Sequence, residues 1–429
     1  MRQLSLNTLS KSERDALLLR PRIDFGKLFG IVQGIIDDVQ STGDEALIRL
    51  AKKFDNADIQ SPIYTVRDEQ EIILDEEVKS AFRTAFDNIY MFHRPQRPQS
   101  ITVETMPGVV CSRYPRAIPR VGLYVPGGTA ILPSSVLMLA IPAQLAGCEE
   151  IIIATPPRAD GTVSPEVEFA ASICGVRNIV LSGGAQAVAA MAYGTQSVPK
   201  VDKILGPGNQ YVTAAKMLLQ NSDAMISIDM PAGPSEVLVL ADGSANPAFV
   251  AADLLSQAEH GPDSQVVLVA LPGFDTEKLQ LELETQRKAL PRAETALKAL
   301  DHSYVLSVES ESDAIQFTND YAPEHLIINT ENADDLVENI QTAGSVFVGQ
   351  WTPESVGDYA SGTNHTLPTY GYARMYSGVS IDSYLRQMTV QKLTPDGLKL
   401  LGPSVEIMAR TEGLTAHERA VTIRLQQIP

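Results

Sequence analysis

The chain has 429 residues, a hydrophobic fraction of 44% and a formal net charge of −18 at pH 7. Its length exceeds what one hydrophobic core usually supports, so we expect two domains with smaller attachments. The negative charge argues against nucleic acid as a partner, because nucleic-acid-binding proteins need a basic face. It leaves room for an anionic cofactor, whose phosphates can be held by backbone amides and helix ends.

The sequence predicts a cytoplasmic protein that does not contact membranes. Its N-terminal stretch lacks an apolar core of signal-peptide length, and no run reaches the roughly 18 apolar residues that span a bilayer. The three cysteines, Cys111, Cys148 and Cys174, are odd in number and widely spaced. This pattern fits neither a disulfide framework nor a zinc knuckle, so each cysteine is interpreted as a small buried hydrophobic residue rather than a nucleophile.

The N-terminal part of the chain is predicted to be mainly helical. Apolar residues at helical spacing on both sides of a Ser-Thr-Gly-Asp turn predict a helical hairpin over 24–54, with Asp44 as the N-cap of its second helix. An amphipathic helix is predicted over 74–92, and residues 94–99 are expected to form an extended connector. Two strands are then expected over 103–114, around a Met-Pro-Gly turn.

Between residues 121 and 348 the chain alternates short apolar strands, Gly or Pro turns and helices. This alternation is typical of parallel sheets with crossover helices, so it predicts two doubly wound α/β units. The predicted strands are 121–125, 150–155, 178–181, 203–205, 224–228 and 236–240 in one set, then 265–270, 304–308, 325–328 and 345–348 in a second. Beyond Gly378 the strands are expected to stop, and helices are predicted over 381–393, 397–410 and 412–425.

Three strand-to-helix turns are rich in glycine. They cover residues 125–129, 182–186 and 206–209. None fits G-x-G-x-x-G within a strand–turn–helix unit, so the usual dinucleotide fingerprint is absent. Turns that merely need positive φ would explain one such segment more easily than three, and a phosphate or nucleotide site stays equally open. Tyr124, Gln186 and Asn209 lie at these turns and would supply a ring and two amides to a nucleotide.

Gln257 and His260 are three residues apart in the stretch LLSQAEHGPDSQ, which covers residues 254–265. If this stretch is helical, both side chains leave one face on the final turn, because the following Gly-Pro ends the helix. Imidazole and amide oxygen suit a weakly held divalent metal. Two ligands do not make a site, however, and taken alone this pattern is more often structural and exposed.

Four of the six histidines occur in dense polar stretches: His260, His325, His365 and His417. The other two, His93 and His302, are expected to be solvated. Glu324 and His325 open a predicted buried strand, where an unpaired acid or imidazole would cost several kcal/mol. A functional interpretation is therefore favoured, in which the two residues act as a general base and as an activator of water.

Two further segments carry candidate ligands. Asp358 follows a glycine in a predicted loop after the last strand, where it is either a third metal ligand or, more commonly for a lone Asp, a turn residue or helix cap. Glu412 and His417 are five residues apart, too far to share one helical face well. Glu412 is therefore expected before the last helix and His417 within it.

Collected in order, these motifs resemble the histidinol dehydrogenase family. They are VGLYVPGGTA, SGGAQAVAAMAYGT, GPGNQYVTAAK, DMPAGPSEVLVLAD, LLSQAEHGPD, APEHL, VGDYASGTNHTLPT, YSGVS and EGLTAH, and the resemblance extends over residues 43–417. It implies an NAD-dependent oxidoreductase that converts L-histidinol to L-histidine, the last steps of histidine biosynthesis, with two NAD molecules and an L-histidinal intermediate kept on the enzyme.

The resemblance also implies an architecture. Members of the family are zinc-dependent homodimers, with one zinc per subunit, two incomplete Rossmann-like domains, and helical extensions that cross between subunits. The implied domains are a helical N-terminal segment over 1–23, a first α/β domain over 24–120 and 237–378, a second, NAD-side α/β domain over 121–236, and a helical dimerisation segment over 379–429.

Residue roles follow from the resemblance, position by position. Zinc would be held by Gln257, His260 and Asp358, with His417 contributed by the partner subunit. Glu324 and His325 would be the acid–base pair, and NAD would meet Tyr124, Gln186 and Asn209. The substrate would contact Ser235, His365 and Glu412, together with His325 and the four zinc ligands.

Two other function classes compete with this interpretation. A zinc hydrolase could use the same histidines, Asp358 and Glu324 to activate water, but it would leave the three glycine turns unexplained. A scaffold protein that has lost its chemistry is the second, and the intact acid–base pair and proposed ligands argue against it.

Overall fold

A computed structural model describes residues 1–20, 25–127, 131–230 and 233–429. The strands are β1 Arg2–Ser5, β2 Ile63–Thr65, β3 Ile101–Met106, β4 Val109–Ala117, β5 Arg120–Tyr124, β6 Glu150–Thr155, β7 Asn178–Leu181, β8 Lys203–Leu205, β9 Ser227–Ile228, β10 Glu236–Ala241, β11 Gln265–Ala270, β12 Tyr304–Ser307, β13 His325–Asn329, β14 Ser345–Val348 and β15 Leu385–Leu393.

The helices surround these strands as crossover and terminal elements. They are α1 Lys11–Leu17, α2 Phe25–Thr42, α3 Asp44–Leu50, α4 Glu76–His93, α5 Ser134–Ala146, α6 Pro165–Ile173, α7 Gly184–Tyr193, α8 Gln210–Gln220, α9 Pro247–Ala258, α10 Thr276–Ala289, α11 Ala293–Asp301, α12 Glu311–Tyr321, α13 Ala333–Val337, α14 Glu354–Tyr359, α15 Pro395–Thr411 and α16 Thr415–Leu425. Within the described ranges, no helix combines the length and hydropathy needed to cross a bilayer.

Two six-stranded sheets form the core, which confirms the predicted α/β class. The first sheet has the order β2-β7-β6-β5-β8-β9, and the second has the order β1-β12-β11-β10-β13-β14. All pairs in the second sheet are parallel, and in the first only β2 is antiparallel to its neighbour. Every residue of β10 and β11 is buried, as expected for parallel strands covered by helices on both faces.

The strand positions predicted between residues 121 and 348 are confirmed, with β9 shorter than predicted, but the grouping of 236–240 with the first set is wrong, because β10 pairs with β11 and β13 of the second sheet. The helix predicted over 381–393 is wrong. Residues 385–393 instead form β15, which pairs antiparallel with β4 from Leu385↔Ala117 to Leu393↔Val109. With β3 these strands form a third sheet of order β15-β4-β3. The pairing is long-range, and such contacts override the local propensity on which the prediction rested.

The domain grouping differs from the prediction at both ends of the chain. Residues 24–120 were expected to join 237–378, but β2 pairs with β7 of the first sheet, and α2 packs on α7 and α8. The N-terminal segment was expected to be helical, but it begins with β1, which pairs with β12 at the edge of the second sheet. The boundary between 23 and 24 lies outside the described residues.

Some local predictions also need correction. Asp44 is the first residue of α3 rather than its N-cap, which is Gly43, and its carboxylate accepts from Thr195 instead. Residues 94–96 form a 3-10 turn rather than an extended connector. His93 is buried, not solvated, and its Nδ1 lies 2.9 Å from the carbonyl oxygen of Ile89.

The prediction that each cysteine is buried is confirmed for Cys174 alone. Cys111 and Cys148 are only half-buried. Burial raises the pKa of Cys148 to about 12, so its thiol is not ionised near neutral pH. This thiol is therefore a poor nucleophile, because the thiolate is the reactive form.

Candidate active site

Glu324 and His325 stand where β13 begins, and both are buried as predicted, with 6% and 3% of their surface exposed. His325 Nδ1 lies 3.6 Å from Glu324 Oε2, and His325 Nε2 lies 3.0 Å from Asp358 Oδ1. The imidazole therefore lies between two carboxylates. Each buried ionisable group therefore has a partner, which offsets the free-energy cost of burying it.

The backbone of Glu236, the first residue of β10, contacts both members of the pair. Its N–H donates to Glu324 Oε2 at 2.7 Å, and its carbonyl oxygen lies 3.1 Å from His325 Nδ1. Gln257 Nε2 donates to the same carbonyl at 3.1 Å and lies 2.9 Å from His325 Nδ1. One peptide therefore fixes the acid and the imidazole relative to each other.

The electrostatics of the pair favour a proton held between the two side chains. Burial raises the pKa of Glu324, and His325 only partly offsets this effect. Burial lowers the pKa of His325, but the carboxylates of Glu324 and Asp358 outweigh it and raise that pKa well above its ordinary value. A proton held at a fixed place between an acid and an imidazole is what general acid–base catalysis requires.

Gln257 and His260 lie where α9 ends. The helix begins behind the N-cap Asn246 and ends at Ala258, so Gln257 lies in its last turn. His260 lies two residues beyond the helix, with its N–H donating to the carbonyl of Gln257 at 3.2 Å. The prediction that both residues lie on the final helical turn is therefore wrong for His260, because the helix unwinds before Gly261-Pro262 rather than at it.

The Oε1 atom of Gln257 has no hydrogen-bond partner among the described residues, although the side chain is fully buried. Such an atom costs about 1–3 kcal/mol when it is left unsatisfied, so it marks a place where a donor or cation is expected. His260 is exposed and lines a cavity. Burial lowers the pKa of His260, and Asp358 offsets this only partly, so the imidazole is neutral and can act as a ligand at pH 7.

Asp358 and His365 lie side by side after the last strand of the second sheet. Asp358 belongs to the short helix α14, rather than to a loop as predicted. Its carbonyl oxygen lies 2.9 Å from His365 Nδ1, and His365 Nε2 lies 3.0 Å from the hydroxyl of Ser135 on α5. Burial raises the pKa of Asp358, but the hydrogen bond from His325 and the charges of neighbouring histidines leave it below its ordinary value.

The predicted zinc ligands meet only in part. Gln257 and Asp358 both contact His325, and Asp358 and His260 interact electrostatically. In the described part of one chain, no three His, Cys, Asp or Glu side chains gather as a metal site. The predicted set supplies only two such side chains per chain, because Gln257 is an amide and His417 is assigned to a partner.

A cavity of about 830 Å³ lies beside His260, between the two α/β units. All three predicted nucleotide-contacting residues, Tyr124, Gln186 and Asn209, line it together with His260. The structure therefore brings together residues from three separate glycine turns, at the carboxyl ends of strands of the first sheet. Ligands of open parallel sheets bind at this edge.

The local roles of Tyr124 and Asn209 are visible in their hydrogen bonds. The hydroxyl of Tyr124 accepts from the N–H of Gly184 at 3.1 Å, and burial raises the pKa of Tyr124 to about 12. Asn209 is the N-cap of α8, with its Oδ1 accepting from Tyr211 and Val212 at 3.0 and 3.2 Å. Its Nδ2 group is therefore the part of the side chain left to contact a ligand.

The backbone itself explains some of the glycines in these turns, apart from any ligand in the cavity. Gly206 has a φ of 120°, and a Cβ there would collide with the carbonyl oxygen of Tyr124. Gly184 has a φ of 62°, and a Cβ on Gly183 would meet Pro156. Glycine is thus required at these turns by the backbone itself. Of the turn predicted over 125–129, residues 128 and 129 lie outside the described residues.

The remaining predicted site residues, Ser235, Glu412 and His417, do not hydrogen-bond to the acid–base pair through their side chains in the described part of the chain. Ser235 is half-buried and directly precedes β10, next to the peptide that contacts the acid–base pair. Glu412 and His417 are exposed on the C-terminal hairpin of α15 and α16, with Glu412 capping the first helix and His417 inside the second, as predicted. In the described ranges no hydrogen bond or ion pair connects either side chain to Glu324 or His325.

Residues 18–425 match the family model described as Histidinol dehydrogenase. The chain belongs to the histidinol dehydrogenase family. It is 58% identical over 429 residues to the chloroplastic histidinol dehydrogenase of Oryza sativa subsp. japonica, covering 100% of this chain and 91% of that protein. It is 48% identical to histidinol dehydrogenase of Photobacterium profundum, covering 100% of this chain and 96% of the relative.

A solved structure agrees with the fold. Histidinol dehydrogenase from Elizabethkingia anophelis superposes with a TM-score of 0.94 and 46% sequence identity, covering 99% of this chain and 98% of that one. Membership of the histidinol dehydrogenase family makes the chain an oxidoreductase of histidine biosynthesis. It removes the support for the hydrolase and scaffold interpretations.

Sequence reasoning missed Glu236 and Ser135, which contact residues of this histidinol dehydrogenase site, and Glu354, which interacts electrostatically with His325 and Asp358. Glu236 opens an otherwise apolar strand, which is the same signal that identified Glu324 and His325, so it could have been found. Glu354 is fully buried, and burial raises its pKa to about 8. Ser135 and Glu354 carry no comparable sequence signal, because both lie at the starts of helices where such residues are common.

Proposed function

We propose that this chain oxidises L-histidinol to L-histidine through a bound L-histidinal intermediate, with NAD as oxidant and zinc in the site. The observation that carries the proposal is the cavity beside His260. It connects the residues suited to a nucleotide, Tyr124, Gln186 and Asn209, with the end of α9 that contacts the acid–base pair. A dehydrogenase needs its cofactor and its base at one place, and a single-site hydrolase does not.

Zinc would be held by Gln257, His260, Asp358 and His417 of the partner subunit. The unsatisfied Oε1 of Gln257, the neutral imidazole of His260 and the lowered pKa of Asp358 fit a divalent cation with N and O ligands. When bound, NAD would supply the hydride acceptor, and zinc, which has no redox chemistry, would orient the imidazole and amino group of the substrate.

With Asp358 engaged as a zinc ligand, its charge would raise the pKa of His325 less, and the neutral imidazole would then accept a proton twice, first from the alcohol and then from the aldehyde hydrate. Glu324 would activate the water that adds to the aldehyde, because an aldehyde must be hydrated before it can lose a second hydride. The Glu236 peptide holds both groups in place, with contacts of 2.7 and 3.1 Å. Each oxidation releases one hydride and one proton, so one substrate yields two NADH.

Ser235, His365 and Glu412 would complete the substrate site. Ser235 directly precedes Glu236, whose peptide contacts the acid–base pair, and His365 lies against Asp358. Burial lowers the pKa of His365, so its ring is neutral at pH 7 and can exchange hydrogen bonds with a polar substrate. Glu412 would come from a second chain, like His417.

A homodimer that shares the site is therefore part of the proposal. The third sheet and the C-terminal hairpin leave many apolar side chains exposed, and β3 is exposed along its whole length. The exposed apolar side chains include Ile101, Val103, Val390, Ile407, Met408 and Ile423. Exposed apolar side chains in this number support a protein partner. A cytoplasmic location stays a prediction from the sequence.

The decisive experiment measures NADH formed per L-histidinol consumed, from absorbance at 340 nm, before and after chelation and zinc return. We expect two NADH per histidinol, loss of activity with chelator and recovery with zinc. One NADH per histidinol would mean that the aldehyde is released, and activity that survives complete metal removal would refute the zinc assignment.

A further inference from the structure

One wall of the cavity is built by elements that the proposed chemistry does not use. Ile31 and Ile35 on α2, with Phe54 and Asp55 in the turn after α3, line the cavity alongside Tyr124. Ile31 is 57% exposed and Phe54 is 51% exposed, so both present uncovered apolar surface. An apolar surface beside a polar group suits a nucleoside, whose base packs on apolar side chains and whose sugar forms hydrogen bonds.

Asp55 is the polar group on this wall, and it lacks a partner. Its Oδ2 atom is excluded from solvent and has no hydrogen bond to any described residue, so the other carboxylate oxygen, Oδ1, is the one that a ligand in the cavity can reach. Burial raises the pKa of Asp55 to about 6, so the group is largely a carboxylate at pH 7 and above. A carboxylate only accepts hydrogen bonds, so its missing partner is a donor, and an unmade bond there costs stability.

The sheet itself does not supply an acid at the usual place. In ordinary dinucleotide-binding units a carboxylate follows the second strand and accepts from the ribose 2′-hydroxyl. Here the second strand of the β5-α5-β6 unit ends at Thr155, and Pro156, which follows it, lines the cavity. The cation nearest to this point in the chain, Arg158, is exposed and is not among the lining residues.

The lining residues that come from the other α/β unit indicate which end of a dinucleotide would meet Asp55. Glu259, His260 and Tyr359 line the cavity and belong to the unit that carries the acid–base pair. The reacting ring must lie on the His260 side, because hydride transfer needs contact with the substrate. The adenosine end is left to the wall formed by α2 and the turn after α3.

We propose that the Asp55 carboxylate accepts hydrogen bonds from the adenosine ribose hydroxyls of NAD and rejects the 2′-phosphate of NADP. The inference rests on the proposed NAD dependence and adds a specificity determinant to it. In NADP the 2′-hydroxyl, a hydrogen-bond donor, is replaced by a phosphate with a charge of about −1.5 to −2, which would lie directly against the carboxylate. Like charges at this separation repel, most strongly where solvent is excluded.

The test is calorimetric binding of ADP-ribose, 2′-phospho-ADP-ribose and 2′-deoxy-ADP-ribose to the zinc-loaded full chain. None of these probes carries nicotinamide, so binding is read without turnover. For the wild type we expect the two altered probes to bind roughly 10- to 100-fold more weakly than ADP-ribose. In Asp55→Asn this discrimination should fall to within a few-fold, mainly through tighter binding of the 2′-phosphate.

Asp58→Asn is the matched control, because Asp58 is exposed, pairs with Lys52 at 2.6 Å and does not line the cavity. It should leave all three affinities unchanged. Asp55→Asn with wild-type discrimination would overturn the inference, as would a wild type that binds all three probes equally. If the wild type binds neither NAD nor ADP-ribose, the proposed NAD function fails as well, so the two failures are distinguishable.

Discussion

Replacing Arg20 by Met should destabilise the protein strongly, because it removes one partner of a buried ion pair. The guanidinium donates to both oxygens of Glu236 at 3.0 Å and to the carbonyl oxygens of Tyr321 and Leu18 at 2.6 and 2.8 Å. It also lies 3.5 Å from the centre of the Tyr321 ring. The side chains of Arg20 and Glu236 are only 6% and 1% exposed.

The expected loss is about 3–5 kcal/mol in the free energy of unfolding, the usual cost of leaving one buried charge without its partner. The only other hydrogen bond to the Glu236 carboxylate among the described residues comes from the N–H of Tyr370, at 2.8 Å, which cannot replace a cation. Removing the stranded charge as well, in Arg20→Met with Glu236→Gln, should recover a large part of the loss.

Equilibrium urea denaturation of the wild type, the single variant and the double variant measures these differences. Arg49→Met is the matched control, because the Arg49–Asp38 pair is 53% and 32% exposed and should contribute less than about 1 kcal/mol. Equal losses in Arg20→Met and Arg49→Met would refute the argument from burial. Turnover should fall in the Arg20 variant even where it is folded, because the Glu236 peptide contacts both Glu324 and His325.

Three further outcomes are expected. Glu324→Gln should slow oxidation of L-histidinal more than oxidation of L-histidinol, and equal slowing in single-turnover measurements would remove the water-activation role. Burial raises the pKa of Asp253 to about 7, above its value in the unfolded chain. The free energy of unfolding of the wild type should therefore fall relative to that of Asp253→Asn as pH rises from 5 to 8. Urea denaturation that gives the same pH dependence for both proteins would contradict this. Inactive Glu412→Ala and His260→Ala chains should regain activity when mixed, provided that subunit exchange is demonstrated by a mass tag; exchange without activity would refute the shared site.

Local sequence patterns correctly predicted the strands that are continuous apolar runs. Strands such as Gln265–Ala270 are continuous apolar runs between turn residues, which periodicity recognises. β15 could not be recognised in this way, because its residues are mostly exposed and its partner β4 lies far away in the chain. The placement of β2 in the first sheet was missed for the same reason, since a three-residue strand carries almost no local signal.

In the site too, local sequence patterns predicted some residues, whereas residues that matter only through a distant partner were missed. An acid and an imidazole opening a buried strand predicted Glu324 and His325, and the structure confirms that both are buried. Arg20 had no signal, because a lone arginine near the N-terminus is ordinary until its partner is known. The depth of burial of Glu236, and so the strength of its pairing with Arg20, depends on how α1 and the second sheet pack together.

The two sheets use opposite strand ends at the site, and this explains how the site is built. The first sheet presents the carboxyl ends of its strands, at Tyr124 and the glycine turns, where phosphate groups are bound in open sheets. The second presents amino ends, where β10 begins at Glu236 and its pairing with β13 starts only at Val237↔His325. The Glu236 peptide therefore has groups free of that ladder, and these groups hold the acid–base pair. A cofactor bound at the first sheet would meet a base on the second because a carboxyl edge faces an amino edge.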